Sequence, residues 1–369
     1  MAPLLQVLRL TALTPYWVTS SFYKRRTRQR RKPGLYLFGF AKWKTWMADW
    51  FPDHDVFFVP NKLWDIEFDM EWRWKILSDP RSKVLAWQYK SLNSLKSFCN
   101  DHAIDFHYVE DGFLRSVSLG ALHVPPVSLV FDSQDMYFNA QEPSDLEDIL
   151  RYYNFDSDPE LIIRSQRVIS TILSTRISKY NSGATTNIES FYGVKKQRRI
   201  MVIGQVERDA SIKYGCNLTI TNNDLVRLAS SENPDADIIY KPHPEVLQGT
   251  APAESNPDLV RDIALVLDAD ISLADSLETI DHVYTITSLA GFEALIRGIP
   301  VTTVGCPFYS GWGLTDDRQA NPRRNRKLTL EQIFSAAYIL YPKYIDLNSK
   351  RRIEIEDAIE LINYMRAQA

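Results

Sequence analysis

The sequence predicts an α/β protein of two Rossmann-like, doubly wound domains facing a cleft. Three observations predict it. Short apolar runs alternate with helical patterns from Leu35 almost to the end, the alternation comes in two series, and one polar stretch separates them. The first series reads as buried strands at LYLFGF (35–40), VFFV (56–59), KVLAW (83–87), DFHYV (105–109) and VSLVF (127–131). Helices are expected at 91–101, where Leu92, Leu95 and Phe98 share a face, at 143–153 and at 160–179. The second series holds RIMVIGQ (199–205), ADIIYKP (236–242), HVYTIT (282–287) and PVTTVG (300–305). Two such series predict two parallel sheets, with a ligand at the carboxyl ends of the strands.

The expected domains follow. Residues 1–32 form a basic arm and residues 33–180 an acceptor and catalytic domain. A linker at 181–198 carries two glycines in its neighbourhood and a basic end. Residues 199–345 form a nucleotide-sugar domain, and the last helix, expected at 349–368 within 346–369, packs back on the first domain.

Length and composition agree with this division. A chain of 369 residues, 45% hydrophobic and 24% charged, has the profile of a folded soluble protein of about two domains. No apolar run reaches the ~18 residues that a membrane-crossing helix needs. The apolar start is broken by Gln6, Arg9 and Pro15 and has no preceding basic region, so no secretory signal is expected. Cys99, Cys216 and Cys306 are odd in number and far apart, which fits a reducing cytoplasm and neither a disulfide framework nor a metal cluster.

The net charge of -3 conceals an asymmetry. Residues 1–32 hold eight basic side chains and no acid, so the remainder carries -11. Seven of the eight lie between Lys24 and Lys32. Each cation near an anionic bilayer contributes about 1 kcal/mol, so the arm suits the inner face of the inner membrane; the alternative is a solvated tail. Nucleic acid is not an expected partner, because no basic patch continues into the body.

The residues that carry chemistry lie where expected strands end. In YVEDGFLRSVSLG (108–120), Glu110 and Asp111 precede a glycine turn. A carboxylate there acts as a nucleophile on a sugar carbon or as a general base; the other reading is a helix cap, or an ion pair with Arg115. In IIYKPHPE (238–245), Lys241 and His243 are held by flanking prolines, an arrangement suited to phosphate or to charge developing on a leaving group. In YTITSLAGFEALIRGIPVTTVG (284–305), the amide groups of Ser288, Leu289, Ala290 and Gly291 open a helix and suit an anion. Glu293, further into that helix, is placed to accept hydrogen bonds from ribose. Tyr309 and Trp312, in PFYSGWGLTDDR (307–318), offer rings for stacking on a sugar or base, or else pack in the fold. Gly204, at the end of VIGQ, allows close backbone approach to a ligand, with Gln205 beside it.

Taken together, EDGFLRSVSLG, GQVERDAS, YKPHPE, TSLAGFEALIRGIPV and PFYSGWGLTDD resemble the capsule polysaccharide biosynthesis family typified by KpsC, over roughly residues 33 to 320. The resemblance implies a modified GT-B fold and a retaining β-Kdo transferase using CMP-Kdo. It implies Asp111 as the catalytic carboxylate, with Glu110 beside it, and His243 as a donor-binding and catalytic-site residue. Together with the strand-end residues above, the expected donor set is Gly204, Gln205, Lys241, His243, Ser288, Leu289, Ala290, Gly291, Glu293, Tyr309 and Trp312, with Arg115 and Ser116 on the acceptor side. No metal and no cofactor are expected. KpsC itself carries two such modules, whereas this chain has room for one. The acceptor is a glycan or glycolipid of capsule or lipopolysaccharide. Two rivals are a CDP-glycerol-type transferase and a non-catalytic export or scaffold component. The first is disfavoured by EDGFLRS and PFYSGWGLTDD, the second by the intact acidic pair and HP motif.

Overall fold

The computed structural model describes residues 32–117, 123–179, 181, 187–252, 254–269 and 271–368. The expected arm therefore lies outside the described residues, apart from Lys32. The chain divides into two compact units, Met1–His107 and Tyr108–Ala369.

In the first unit, β1 (Gly34–Phe38) is a continuous buried run paired in parallel with β2 (Asp55–Phe58) on one side and β3 (Lys83–Trp87) on the other. Such a run suits a strand covered on both faces. Between β2 and β3 the chain is helical over Asp65–Glu67, makes a π-turn over Phe68–Trp72 that buries Phe68 and Trp72, and is helical again over Arg73–Leu77. After β3, α1 (Leu95–Asp101) buries Leu95, Phe98 and Cys99. It starts later than the spacing of 91–101 predicts. β4 (Asp105–Asp111) begins in this unit and ends in the next.

In the second unit, β4 pairs antiparallel with β5 (Ser128–Asp132). This corrects the expectation of two wholly parallel sheets. A parallel pair needs a crossover, usually helical, and the described residues between β4 and β5 contain no helix. α2 (Asp145–Tyr152) is capped by Ser144, whose hydroxyl accepts from Glu147 N–H at 3.1 Å. α3 (Pro159–Thr175) is capped by Asp158 and opened by its proline. It stops at Arg176, which takes a left-handed conformation (φ 56), and so ends short of the expected 179.

The second sheet is parallel and follows the expectation closely. Its order is β11-β10-β9-β6-β7-β8, built from β6 (Arg199–Ile203), β7 (Asp237–Lys241), β8 (Leu265–Val266), β9 (His282–Thr285), β10 (Val301–Thr303) and β11 (Asp316–Asp317). That is the Rossmann order, in which the strand sequence reverses between β6 and β9. Helices intervene, among them α4 (Ala210–Gly215), α5 (Asn222–Glu232), α6 (Pro244–Leu247) and α7 (Leu289–Ile296), with a further short helix over Leu273–Ser276. Ile200, Val202, Leu225, Val226, Ile238, Tyr240 and Ile286 are among the side chains of one buried cluster against this sheet. The architecture is thus α/β with one mixed and one parallel Rossmann-like sheet.

The chain then returns to the first series. β12 (Pro342–Ile345) pairs antiparallel with β5, and β13 (Arg352–Ile353) with β12. α8 (Ile355–Gln368) begins six residues later than predicted, because β13 takes the preceding residues. It is tied to α3 through Arg164, which bonds Glu354 and Glu356, and through Arg366, which donates to Thr175 O.

One glycine is required by close packing. A Cβ on Gly291 would collide with the Tyr309 hydroxyl and meet the Thr285 methyl at 3.0 Å. Gly291→Ala should therefore destabilise the protein by about 1–3 kcal/mol, the usual cost of overpacking, despite alanine's better helix propensity. Adding Tyr309→Phe removes the colliding oxygen and should recover part of that loss. Urea unfolding of both variants checks the pair.

Candidate functional site

Ligands of open α/β sheets bind where the strand order reverses, outside the carboxyl ends of the strands. Here that point lies between β6 and β9. Gly204 follows β6, and its N–H donates to Lys241 O at 2.9 Å. A Cβ on Gly204 would stand 3.0 Å from the Tyr240 ring, so a side chain there would crowd the strand ends. Gln205 braces the reversal: its amide oxygen accepts from Thr287 N–H at 2.7 Å and its amide nitrogen donates to the Thr287 hydroxyl at 3.1 Å. Gln205 is thus a buried strut.

α7 opens at this point. Ser288 caps it, with Oγ accepting from Ala290 N–H, while Gly291 N–H reaches Ser288 O and Ser288 N–H reaches the Thr285 hydroxyl. Three of the four amide groups predicted to meet an anion are therefore engaged locally. The positive end of the helix remains beside them, at the half-buried Ser288, Leu289 and Ala290.

His243 sits at the carboxyl end of β7 as the cap of α6. Its Nδ1 accepts from Glu245 N–H at 3.2 Å. The neutral ring then carries its proton on Nε2, which makes Nε2 a donor. Burial, with Lys179 and Lys241 adding to it against the opposing Asp209, lowers the ring's pKa to about 4. Burial and Asp209 push the Glu245 carboxyl above its ordinary range. Lys241 does not point its ammonium outward: Nζ donates to Ile271 O at 2.6 Å.

Glu110 and Asp111 end β4 on opposite faces, as neighbours in a strand must. Glu110 Oε1 accepts from Asp111 N–H at 2.9 Å, a local cap. Asp111 Oδ2 accepts from Arg115 Nε at 2.7 Å, whereas Asp111 Oδ1 is buried without a hydrogen-bond partner. Arg115 is itself wholly buried, and its other nitrogens donate to Ser116 Oγ at 2.7 Å and Val124 O at 2.8 Å. Arg115 and Ser116 are thus built into the support of Asp111. A Cβ on Gly112 would collide with the Ser128 side chain, so the turn after the acids needs glycine.

Lys179 links these groups, and sequence reasoning missed it. Because α3 stops at Arg176, the residues that follow run alongside 116–117: Ser116 N–H donates to Lys179 O at 3.5 Å and Asn181 N–H to Val117 O at 3.2 Å. Lys179 N–H donates to Glu293 Oε1 at 3.0 Å, and its ammonium acts on His243 and Glu245. Glu293 itself is only 4% exposed, and burial raises its pKa. The sequence held no signal for it, because nothing local announces the left-handed break at Arg176 that ends α3.

Two predicted rings need correction. Tyr309 and Trp312 are 0% exposed. The Tyr309 hydroxyl donates to Ser288 O at 2.5 Å and the Trp312 indole donates to Phe308 O at 2.8 Å. Neither ring has a face open to a sugar or base. They form core beneath α7, and Arg324 fastens their loop by donating to Pro307 O and Ser310 O. Among the described residues, no group of three or more His, Cys, Asp or Glu side chains is placed to hold a metal ion.

A Rossmann-ordered sheet with an anion-receptive helix start at its reversal, and a braced, partly unpaired carboxylate at the end of β4, fit a glycosyltransferase of modified GT-B architecture. Residues 83–344 match the family model described as capsule polysaccharide biosynthesis protein, and the chain belongs to that family. It is 44% identical over 336 residues to the lipopolysaccharide-processing protein LpsZ of Rhizobium meliloti, covering 89% of this chain and 74% of LpsZ. It is 38% identical to the capsule polysaccharide modification protein LipA of Neisseria meningitidis, covering 92% of this chain but only 46% of LipA, so it spans about half of that relative. Two solved structures from Thermosulfurimonas dismutans share the fold. The KpsC β-Kdo 2,4 transferase matches with TM-score 0.74 at 29% identity, over 91% of this chain and 99% of its own. The KpsC β-Kdo 2,7 transferase matches with TM-score 0.67 at 32% identity, over 90% and 99%.

The His243 environment has a consequence for acid stability. Below the ordinary histidine pKa of 6.5, the unfolded chain takes up a proton that the native ring refuses until about pH 4. Stability should therefore fall as pH drops through that window, and His243→Gln should lose less of it than the wild type. Urea midpoints at pH 7 and pH 5, with an NMR titration of the ring, measure both.

Proposed function

We propose that the chain is a retaining β-Kdo glycosyltransferase, moving Kdo from CMP-Kdo to a glycan or glycolipid of the cell surface. The observation that carries this reading is Asp111 Oδ1, a buried carboxylate oxygen with no partner, on a group whose other oxygen is held by Arg115. An unpaired buried acceptor costs free energy and calls for an explanation; a nucleophile awaiting its substrate supplies one. In the first displacement, Asp111 Oδ1 bonds to the anomeric carbon as the bond to phosphate breaks and CMP leaves. In the second, the acceptor hydroxyl attacks that carbon, Asp111 departs and the hydroxyl proton passes to solution. Two inversions give retention.

The donor brings two anions, its phosphate and the sugar carboxylate. His243 Nε2–H is suited to donate to the phosphate oxygen as charge grows on it, and the Lys179 ammonium and the start of α7 add positive potential. Neutral histidine is enough for this role, because the donated hydrogen bond needs the Nε2 proton and not a charged ring. The site as read uses protein groups alone to meet the leaving charge. Gly204, the helix start and His243 form the donor side; Glu293 acts through Lys179.

Asp111→Ala should lower transfer by several powers of ten while CMP affinity stays within about threefold, since the carboxylate serves the sugar carbon and not the nucleotide. Donor added without acceptor should leave a Kdo adduct on Asp111 in intact-mass and peptide mapping. An adduct on another carboxylate, or transfer within tenfold of wild type, would remove Asp111 from this role.

The same reading places the protein at the anionic inner face of the membrane through its basic arm. Among the described residues no helix is long and apolar enough to cross a membrane. Deleting residues 1–32 should weaken co-sedimentation with anionic vesicles, and added salt should weaken it for the full chain, because the attraction is Coulombic. Turnover of short soluble acceptors should persist, since β1 begins at Gly34.

A further inference from the structure

The strands of the second sheet run parallel, so the segments that lead into them gather at its amino end. Residues 191–198 lead into β6, 234–236 into β7 and 258–264 into β8. The first segment carries Lys195, Lys196 and Arg198, with Phe191 and Val194 exposed among them. The second carries Asp235, and the third Asp258 and Asp262, with Leu259 and Ile263 exposed. Lys195 is paired with Asp281, and Arg261 with Asp258 and Asp268. Lys196, Arg198, Asp235 and Asp262 are exposed and form no ion pair among the described residues; Arg198 reaches Asn233 and His282 instead.

The backbone at this end is fastened from below. Arg199, the first residue of β6, is buried and donates to Thr279 Oγ1 at 2.6 Å, to Gly193 O at 2.7 Å and to Tyr192 O at 3.3 Å. The Tyr192 hydroxyl donates to Ser276 O at 2.9 Å, and Lys195 Nζ to Thr279 O at 2.9 Å. The turn so held still leaves Val194 73% exposed. Beside it, Val260, Ala264 and Val266 enter the core cluster, while their neighbours Leu259, Ile263 and Leu265 stay in water, Leu259 at 65%. β8 is an edge strand, paired with β7 alone. Grouped apolar side chains held out to solvent by an anchored backbone, with charges around them, mark an interaction surface.

We propose that the amino end of the second sheet is a self-complementary interface for a second copy of the chain. A two-fold axis sets Lys196 and Arg198 of each copy against Asp235 and Asp262 of the other. Charge selects this occupant. An anionic bilayer or an acidic protein would be repelled by Asp235 and Asp262, and a basic partner by Lys196 and Arg198. The same surface turned through a two-fold axis meets both halves with opposite charge, and covers apolar side chains with apolar ones. The carboxyl ends of β6 and β7, where Gly204 and His243 lie, face the other way and stay open in such a dimer. The pairing does not depend on which reaction the chain catalyses.

Sedimentation velocity of the full chain over a concentration series should show a monomer–dimer equilibrium. Val194→Asp should raise the dimer Kd at least about tenfold, as should each charge reversal, Lys196→Glu with Arg198→Glu, and Asp235→Lys with Asp262→Lys. All five positions are exposed, and an unchanged thermal midpoint shows that the variants fold. The decisive sample is an equimolar mixture of the two reversed proteins. Each reversed half then faces its complement, so the mixture should form dimers with a Kd within about threefold of wild type. Added salt should weaken the wild-type dimer, because exposed charges are screened. A chain that stays monomeric throughout overturns the proposal, and so does a dimer that survives Val194→Asp and both reversals. Reversed proteins that fail to pair when mixed overturn it as well, and growth beyond the dimer overturns the two-fold arrangement. If the wild type stays monomeric while Val194→Asp lowers its co-sedimentation with phosphatidylglycerol vesicles, the surface serves a lipid partner and the proposal falls.

Discussion

The buried Arg115 guanidinium is the constraint on which the candidate site depends. It lies wholly inside the fold and spends its donors on Asp111, Ser116 and Val124 O. A guanidinium is tolerated there only if every donor finds a partner, and removing one member of such a pair typically costs about 3–5 kcal/mol. The geometry of the EDG turn follows from this. Asp111 is fixed in one rotamer by Arg115 Nε, and Gly112 lets β5 approach closely enough that Ser128 Oγ reaches Leu114 O. Ser116, oriented by the same guanidinium, then pairs its backbone with Lys179, and Lys179 reaches Glu293 on α7. One arginine therefore connects the carboxylate at the end of β4 to the helix at the reversal of the parallel sheet.

α7 is positioned from below by residues that resemble ligand-binding groups in sequence. Phe292, Phe308, Tyr309 and Tyr338 stack within one aromatic cluster, and Phe113 from the EDG turn joins it against Phe308 and Tyr338. Arg323 and Arg324 both reach the buried Glu147 of α2, anchoring the segment after the PFYSGWG loop. The loop is rich in glycine because Gly311 and Gly313 take positive φ, and rich in aromatics because it fills the core. Its buried rings and positive-φ glycines report the shape of the fold under the site.

That distinction explains what could be read from the sequence. Strands such as 83–87 and 199–203 were legible because continuous apolar runs in a parallel sheet have few other uses. β8, β11 and β13, of two residues each, present no period to detect, and PKYI of β12 reads as a loop until its pairing with β5 is seen. The polar residues at strand ends were legible as candidates, since strand ends are where α/β sheets expose functional groups. Their partners were not. Nothing local distinguishes a tyrosine that stacks on a sugar from one that donates to Ser288 O, or a lysine free to meet phosphate from one bonded to Ile271 O. Lys179 entered the site through a helix ending four residues early, which a hydrophobic period cannot resolve.

The electrostatics of the proposed reaction give these supports a common purpose. A carboxylate nucleophile approaching a sugar that already bears a carboxylate and a phosphate faces repulsion from both. At a separation of 4 Å and an effective dielectric of about 20, each pair of unit charges opposes by about 4 kcal/mol. Water would screen that repulsion, but a site open to water would also hydrolyse the activated sugar. Fixed positive groups are the remaining means. Arg115 sits directly behind Asp111, Lys179 acts on His243, and the amino end of α7 points its dipole at the sheet reversal. Arg115 by its side chain, Lys179 by its backbone and α7 by its cap are held by hydrogen bonds formed before any substrate arrives. His243 fits the same scheme as a neutral donor, because burial, with Lys179 and Lys241 adding to it, suppresses its protonation while Nε2 keeps its proton.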